Sequence, residues 1–153
     1  MQSKLVIDIQ YASPAIEAAV SHVASASLIK RWVHGVVSIN GNGLLTLRFV
    51  NAAEGKKLNA SFRNKDYASN VLTFPYEYSK NSMAADIIFC LPVIQREAKE
   101  QKKLLKAHLA HLIVHGCLHA QGLDHQKNKE AEKMEAQEVM ILQKMGFANP
   151  YLA

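Results

Sequence analysis

Three histidines and one glycine near the C-terminus place the tightest constraint on how this chain can fold. His115 and His119 are four residues apart, Gly122 follows three residues later, and His125 stands three residues after that. On an α-helix, a spacing of four residues puts two imidazoles on one face, one turn apart. Glycine can adopt the backbone conformation that ends a helix, so that the chain turns back and His125 approaches the other two imidazoles. The pattern predicts a central helix with a three-histidine metal site at its end.

The donor set favours a metal site that keeps an open coordination position. A closed structural zinc site normally has four protein ligands, often cysteines. Cys117 lies two residues after His115, roughly 200° around a helix of 3.6 residues per turn, and therefore points away. We expect one zinc ion per chain, with another divalent transition ion as an alternative. Asp124, beside His125, and Asp86 are candidates for a carboxylate that orients a ligand imidazole.

The same spacing occurs in one class of zinc peptidases, but their general base is missing here. Those enzymes carry a glutamate directly after the first histidine, whereas this chain has Gly116. We therefore expect a related ligand set without that peptidase mechanism.

His111 and His115 form a rival pair four residues apart, and His108 shares roughly the same helical face. Because no glycine and third histidine follow that pair at the same spacing, we expect His108 and His111 to be buried or to line a cleft.

Strand-like segments come mainly first and helical segments last, which predicts an α+β fold with a small mixed β-sheet packed with helices. Ser13-Pro14 predicts the start of a helix that reaches about Trp32. The run Asn40-Gly41-Asn42-Gly43 predicts the turn of a hairpin. The expected strands are 5–9, 36–39, 44–50, 71–74 before Pro75, and 86–90, and the expected helices are 13–32, 51–59, one from about 92, 104–121 and 129–145.

Length and composition predict one globular domain over residues 1–153. The hydrophobic fraction is 49%, which is too high for a disordered chain. No run approaches the roughly 18 apolar residues of a membrane span, and the N-terminus lacks the features of an ordinary secretory signal. Cys90 and Cys117 lie in apolar segments, which favours buried, reduced thiols in a cytoplasmic protein. The formal net charge of +5 is compatible with a polyanionic partner such as RNA.

A polar segment from residue 57 to residue 75 carries a second group of candidate residues. Arg63 can grip phosphate oxygens through its planar guanidinium and offset the charge that develops during phosphoryl transfer. Lys56, Lys57 and Lys65 add positive charge nearby. Cationic side chains in a loop usually just face solvent, so the composition of this segment leaves both interpretations open.

The two segments together resemble the YbeY family of bacterial metal-dependent endoribonucleases, also called rRNA maturation factors. The run from His115 to His125 is similar to that family's H-G-x-L-H-L-x-G-Y-D-H motif. The stretch from Leu58 to Pro75 is similar to its L-N-x-x-[YF]-R-x-x-D-x-x-T-[DN]-V-L-S-F-P block, and the resemblance covers roughly residues 5–152. The departures remove neither a candidate ligand nor the arginine: Ser69 for Thr, Thr73 for Ser, Ala85 for Gly, Ala120 for Leu and Leu123 for Tyr.

The resemblance implies that His115, His119 and His125 bind zinc and that Arg63 is needed for RNA cleavage. It also implies single-stranded RNA as substrate, rRNA and ribosomal subunits as partners, and a role in 16S rRNA 3′-end maturation and ribosome quality control. Neither DNA nor a membrane is expected as a partner. No general base is identifiable, so attack by water and attack by the 2′-hydroxyl both stay open. The alternatives are a non-catalytic ribosome-assembly factor with a structural metal, and a metal-dependent hydrolase of another substrate.

Overall fold

The computed structural model describes residues 4–63, 69–79, 81–122 and 128–152, without the side chains of Arg63 and Asn128. Strands are interspersed with helices in the first two thirds of the chain, and helices form the last third. Their order is β1 (Lys4–Tyr11), α1 (Pro14–Val23), α2 (Ala26–His34), β2 (Asn42–Val50), α3 (Ala52–Arg63), β3 (Val71–Tyr78), β4 (Ser82–Cys90), α4 (Leu91–Glu100), α5 (Leu105–Ala120) and α6 (Asn128–Lys144).

The strands form one mixed sheet in the order β1-β2-β4-β3. Strand β2 pairs in parallel with both β1 and β4, and β3 runs antiparallel to β4 at one edge. The register places Val71, the first residue of β3, opposite Phe89 near the end of β4. The predicted α+β fold with a small mixed sheet is therefore confirmed.

The two faces of the sheet carry separate hydrophobic clusters. Alternate residues of the central strands, such as Leu47 and Ile87, pack with helices α1, α2, α5 and α6 in the larger cluster. The opposite face packs Ile88 against Leu58 of α3 in a smaller cluster. Helix α5 is buried around much of its circumference, from Leu109 on one side to Cys117 on another, which is typical of a helix at the centre of a core. This burial holds the predicted histidine helix in a fixed position against the sheet.

The hairpin predicted from Asn40 to Gly43 is wrong. Residues 36–39 form no strand, and β2, which begins at Asn42, pairs in parallel with β1 and β4. A Cβ atom at Gly41 would lie 1.8 Å from the backbone oxygen of Asn81. Glycine is therefore needed here because two backbones approach each other closely, and this requirement produces the same sequence signal as a tight turn.

Three predicted element boundaries also differ from the structure. The helix predicted over residues 13–32 is two helices, because Ser25 caps α2 by accepting a hydrogen bond from the Leu28 amide at 3.1 Å. Strand β3 continues through Pro75, with a register shift between Pro75 and Glu77. Proline is tolerated there because β3 is an edge strand. Helix α3 extends to Arg63, beyond the predicted end near residue 59.

Local capping signals and the cysteine prediction are confirmed. The Ser13 hydroxyl accepts the amide of Ile16 at 3.2 Å, and the Asn51 side chain accepts the amide of Glu54 at 2.9 Å. Cys90 and Cys117 are both free and buried. Within the described parts of the chain, every helix is too short or too polar to cross a membrane.

Candidate metal centre

His115 and His119 lie one turn apart near the C-terminal end of α5, as the spacing predicts. The helix ends immediately afterwards, where the Gly122 amide donates to the backbone oxygen of His119 at 3.0 Å. Gly122 has a φ angle of +94°, which a residue with a side chain rarely adopts. The glycine therefore ends the helix as predicted. His125 and Asp124, which the sequence assigns to the same site, lie outside the described residues.

A buried carboxylate on α6 contacts the first candidate ligand. The side chain of Glu138 is 1% exposed, and its Oε2 lies 2.8 Å from Nδ1 of His115. The other oxygen, Oε1, lies 2.7 Å from Nε2 of His111 and also accepts the hydroxyl of Tyr151. An ionised carboxylate has no proton to donate, so both imidazoles must be the donors. Glu138 thereby fixes the orientation of His115 and His111.

The hydrogen bond to Glu138 determines which nitrogen of His115 suits a metal. A proton on Nδ1 leaves a neutral imidazole with its lone pair on Nε2, the atom that would coordinate the ion. Metal-binding histidines in proteins commonly donate their second nitrogen to a carboxylate in this way. His115 and His119 therefore fit zinc in donor type and sequence spacing, and His115 also fits in tautomer. Without the region that contains His125, the described side chains include no group of three that could hold an ion.

The surroundings of Glu138 keep its carboxyl group ionised. Burial acts to raise its pKa, but the hydrogen bonds from His111, His115 and Tyr151 outweigh burial and lower the pKa to about 2. Burial and the hydrogen bond to the same carboxylate raise the pKa of Tyr151 well above its ordinary value. At neutral pH, an acceptor with full negative charge and a protonated phenol therefore face each other beside His115.

A second carboxylate holds the beginning of α5. His108 is 4% exposed, and its Nε2 lies 3.0 Å from Oε1 of Glu97 on α4. Burial lowers the pKa of His108, although Glu97 opposes this shift. The side-chain amide of Asn70 donates to the same carboxylate at 3.0 Å. Glu97 therefore joins α5 to the residue that precedes β3, and the predicted burial of His108 fits this structural arrangement.

The arginine segment approaches the histidine helix through the start of β3. Arg63 is the last residue of α3, and Lys56 and Lys57 are exposed on the same helix. Lys65 lies outside the described residues. A Cβ atom at Gly116 would lie 3.5 Å from Cγ2 of Val71 in β3. The polypeptide that follows Arg63 thus returns to the sheet directly beside the turn of α5 that lies between His115 and His119.

Gly116 also explains why a peptidase glutamate is missing at this position. A Cβ atom there would lie 2.9 Å from Cγ2 of Ile87, a buried branched side chain of β4. A side chain at position 116 would point into the sheet. This close packing excludes a glutamate at position 116.

Asp86 is not brought to the histidines. It follows Ala85 and precedes Ile87, which both face the larger cluster that contains α5. Successive side chains of a strand point to opposite faces, so Asp86 projects from the other face. Its carboxylate there accepts the hydroxyl of Tyr76 at 2.8 Å.

Glu138 and Tyr151 are the residues that sequence reasoning missed. Glu138 lies 23 residues from His115 along the chain and belongs to no recognised motif. One signal was present: Met134, Glu138 and Leu142 are spaced by four residues, and all three are buried. A single carboxylate in an otherwise apolar helical stripe indicates a buried polar partner.

Comparison with known proteins supports one family for the whole chain. The family model described as endoribonuclease YbeY matches residues 8–146. An endoribonuclease YbeY of Polynucleobacter asymbioticus is 67% identical over 98% of this chain and 96% of its own. That of Herminiimonas arsenicoxydans is 46% identical over 99% and 97%, respectively. The solution structure of TM1509 from Thermotoga maritima shares the fold, with a TM-score of 0.54 and 19% identity over 97% of this chain and all of that one. The chain belongs to the YbeY endoribonuclease family.

Proposed function

We propose that this protein is a zinc-dependent endoribonuclease that cleaves single-stranded RNA, and that it acts in the cytoplasm on rRNA in ribosomal subunits. Its tasks in this proposal are maturation of the 16S rRNA 3′ end and ribosome quality control. The observation that carries the proposal is the pair His115 and His119 on a buried helix, with His115 held by Glu138, in a chain of the YbeY endoribonuclease family.

The metal ligands in this proposal are His115, His119 and His125. When bound, zinc acts as a Lewis acid toward a phosphodiester and lowers the pKa of a water molecule that it holds. Glu138 keeps the proton of His115 on Nδ1 and so presents Nε2 to the ion. This contact from α6 fixes the orientation of His115, because the carboxylate is buried and accepts three hydrogen bonds.

Arg63 holds the phosphate of the substrate in this proposal. Its guanidinium offers planar, paired donors to phosphate oxygens and stays charged throughout the reaction. Val71, at the start of β3 and eight residues after Arg63, packs beside Gly116, so this part of the chain contacts the helix that carries the histidines. An unpaired strand suits such a site because its phosphates can bend into a cleft without breaking a duplex.

Cleavage of a labelled single-stranded RNA by the purified protein tests the proposal. We expect the wild type to cleave and both His119→Ala and Arg63→Ala to lose cleavage while they stay folded. His22→Ala and Arg31→Ala are matched controls, since both positions are exposed on other helices, and should cleave as the wild type does. Equal cleavage in all variants would indicate a contaminating ribonuclease. A folded wild type that cleaves neither free RNA nor intact ribosomal subunits would support a structural metal in a non-catalytic factor.

The ends of the RNA products identify the nucleophile. A 2′,3′-cyclic phosphate would show that the 2′-hydroxyl attacks first, whereas a product without that intermediate would indicate water. Turnover of casein or peptides that survives Arg63→Ala would instead favour a hydrolase of another substrate.

A further inference from the structure

A cavity of about 200 Å³ lies between the first turns of α5 and the C-terminal segment, outside the proposed metal ligands. Ala107, His108 and His111 line it from α5, and Phe147 and Asn149 line it from the segment after α6. The remaining lining residues are mostly aliphatic, so the walls combine apolar surface with a few polar groups. Small-molecule sites in proteins typically combine apolar walls with a few polar groups in this way.

The cavity is close to the metal site along α5. His111 at its wall shares the Glu138 carboxylate with His115, and the centroids of these two imidazoles are 6.5 Å apart. The rise of 1.5 Å per residue separates the two positions by roughly 6 Å along the helix axis. A polymer that binds at His115 therefore needs to extend only a short way to reach the cavity.

Lysines are concentrated along the α4–α5 connection, which is adjacent in sequence to residues that line the cavity. Lys103 lines the cavity and donates to the backbone oxygen of Pro150 at 2.6 Å. Lys99, Lys102 and Lys106 are exposed within the same short stretch, in which Glu100 is the only acidic residue. Such a concentration of positive charge beside an apolar cavity fits a polyanion that also carries flat, apolar groups.

The polar atoms of the cavity wall favour a ligand with hydrogen-bonding edges. Lys103 and Asn149 are polar residues among the mostly apolar lining, and the Nε2 atoms of His108 and His111 each contact a carboxylate. A nucleobase combines apolar faces with polar edges, and unpaired bases in protein complexes are typically received between aromatic and apolar side chains. An aliphatic protein side chain would use neither these polar atoms nor the lysines.

We infer that this cavity receives an unpaired base of the RNA substrate near the cleaved bond, while Lys102 and Lys106 bind the phosphates that flank it. The inference rests on the proposed function and deepens it, because it assigns a base-binding subsite separate from the metal and from Arg63. The RNA strand would then run along α5 from the metal site toward the α4–α5 connection.

Binding measurements that separate bases from phosphates test this inference. Fluorescence anisotropy compares a single-stranded RNA octamer with a fully abasic ribose-phosphate octamer of the same charge. Stacking of one base contributes about 1–3 kcal/mol, so the wild type should prefer the RNA by about fivefold or more. Ala107→Phe, which fills the cavity, should lose this preference, whereas Ala18→Phe on the exposed face of α1 should keep it. If Ala107→Phe does not fold, Ala107→Leu serves the same purpose.

The lysines are tested by a double charge reversal. Lys102→Glu with Lys106→Glu should weaken both octamers to the same extent and reduce the slope of log affinity against log salt by about 1.4. The control variant carries Lys4→Glu with Lys30→Glu, at exposed positions elsewhere. In this control, both the affinity for the octamers and the salt slope should change less. An unchanged preference for bases in folded Ala107→Phe, or an unchanged salt slope in the lysine variant, would overturn the inference.

Cleavage and binding fail separately, so the two proposals are distinguishable. A wild type that binds RNA through the cavity and the lysines but cleaves nothing would defeat the proposed function alone. A wild type that cleaves RNA while Ala107→Phe keeps the full base preference would defeat the subsite alone.

Discussion

Glu138 is a buried side chain that orients a candidate metal ligand from a neighbouring helix. Its carboxylate accepts hydrogen bonds from His115, His111 and Tyr151. Glu138→Gln replaces one acceptor oxygen by an amide that must donate, so at least one of these three donors loses its partner. We expect zinc affinity to fall by about 10–100-fold, the usual effect of removing such a carboxylate.

Competition with a chromophoric zinc chelator measures this change directly. Glu132→Gln, at an exposed position of the same helix, removes the same charge and should bind zinc as the wild type does. Equal zinc affinity in Glu138→Gln and the wild type would show that the carboxylate has a structural role alone.

The positions of His115 and His119 one turn apart on a helix, and the end of that helix at Gly122, are confirmed because these signals are local. That His115 and His119 bind a metal stays a prediction. Glu138 could not be predicted in the same way, because its contact with His115 depends on how α6 packs against α5. The contact of Asp86 with Tyr76 likewise depends on strand register, which no local pattern specifies.

At the scale of elements, Glu97 joins three parts of the structure. From α4 it accepts hydrogen bonds from His108 on α5 and from Asn70 before β3. Glu97→Ala leaves two donors without an acceptor, and each costs about 1–3 kcal/mol when buried. We expect the free energy of unfolding in urea to fall by about 2–5 kcal/mol.

Glu100→Ala is the matched control on the same helix. Its carboxylate is exposed and lies 3.9 Å from Arg96, a type of surface pair that contributes about 0–1 kcal/mol. A loss of stability in Glu97→Ala no larger than in Glu100→Ala would show that the network does not hold these elements together.

The contact between α5 and β4 at Gly116 gives a second prediction for packing of elements. Gly116→Ala gains up to about 1 kcal/mol of helix propensity, but its Cβ would lie 2.9 Å from Ile87 in the core. Overpacking of this kind costs about 1–3 kcal/mol, so we expect a net loss of stability in thermal unfolding. Gly35→Ala should be tolerated better, because the nearest side-chain atom there is the flexible methyl end of Met145 at 3.0 Å. Equal stability in the two variants would contradict the close approach of α5 to the sheet.

Elements were predicted well where their ends are capped locally and poorly where pairing is long-range. Ser13, Asn51 and Pro92 mark real helix starts, since each acts within one turn. The hairpin at Asn40–Gly43 failed because glycine serves equally at a tight turn and where two backbones meet, as at Gly41 and Asn81. The sequence shows a glycine at position 41, but it does not indicate that the backbone of Asn81 is the neighbour that requires it.

At the scale of the whole molecule, the candidate site depends on segments that are far apart in sequence. Helix α5 supplies His115, α6 supplies Glu138, and Tyr151 reaches the same carboxylate from the C-terminal segment. The start of β3 packs beside Gly116, which brings in the part of the chain that follows Arg63. A ligand that binds His115 and His119 should therefore stabilise the fold as a whole, because the contacts that orient this site exist in the folded state alone.

Zinc should raise the stability of the protein through this linkage. A ligand that binds the folded state alone adds about 2.7 kcal/mol to the free energy of unfolding at a concentration of 100 times its dissociation constant. We expect a shift of about this size in chemical denaturation when zinc is compared with a chelator, for the wild type and for His22→Ala. His119→Ala should show no shift, because two remaining histidines hold the ion too weakly at that concentration. If zinc raised the free energy of unfolding of His119→Ala as much as that of the wild type, the ion would bind at other residues.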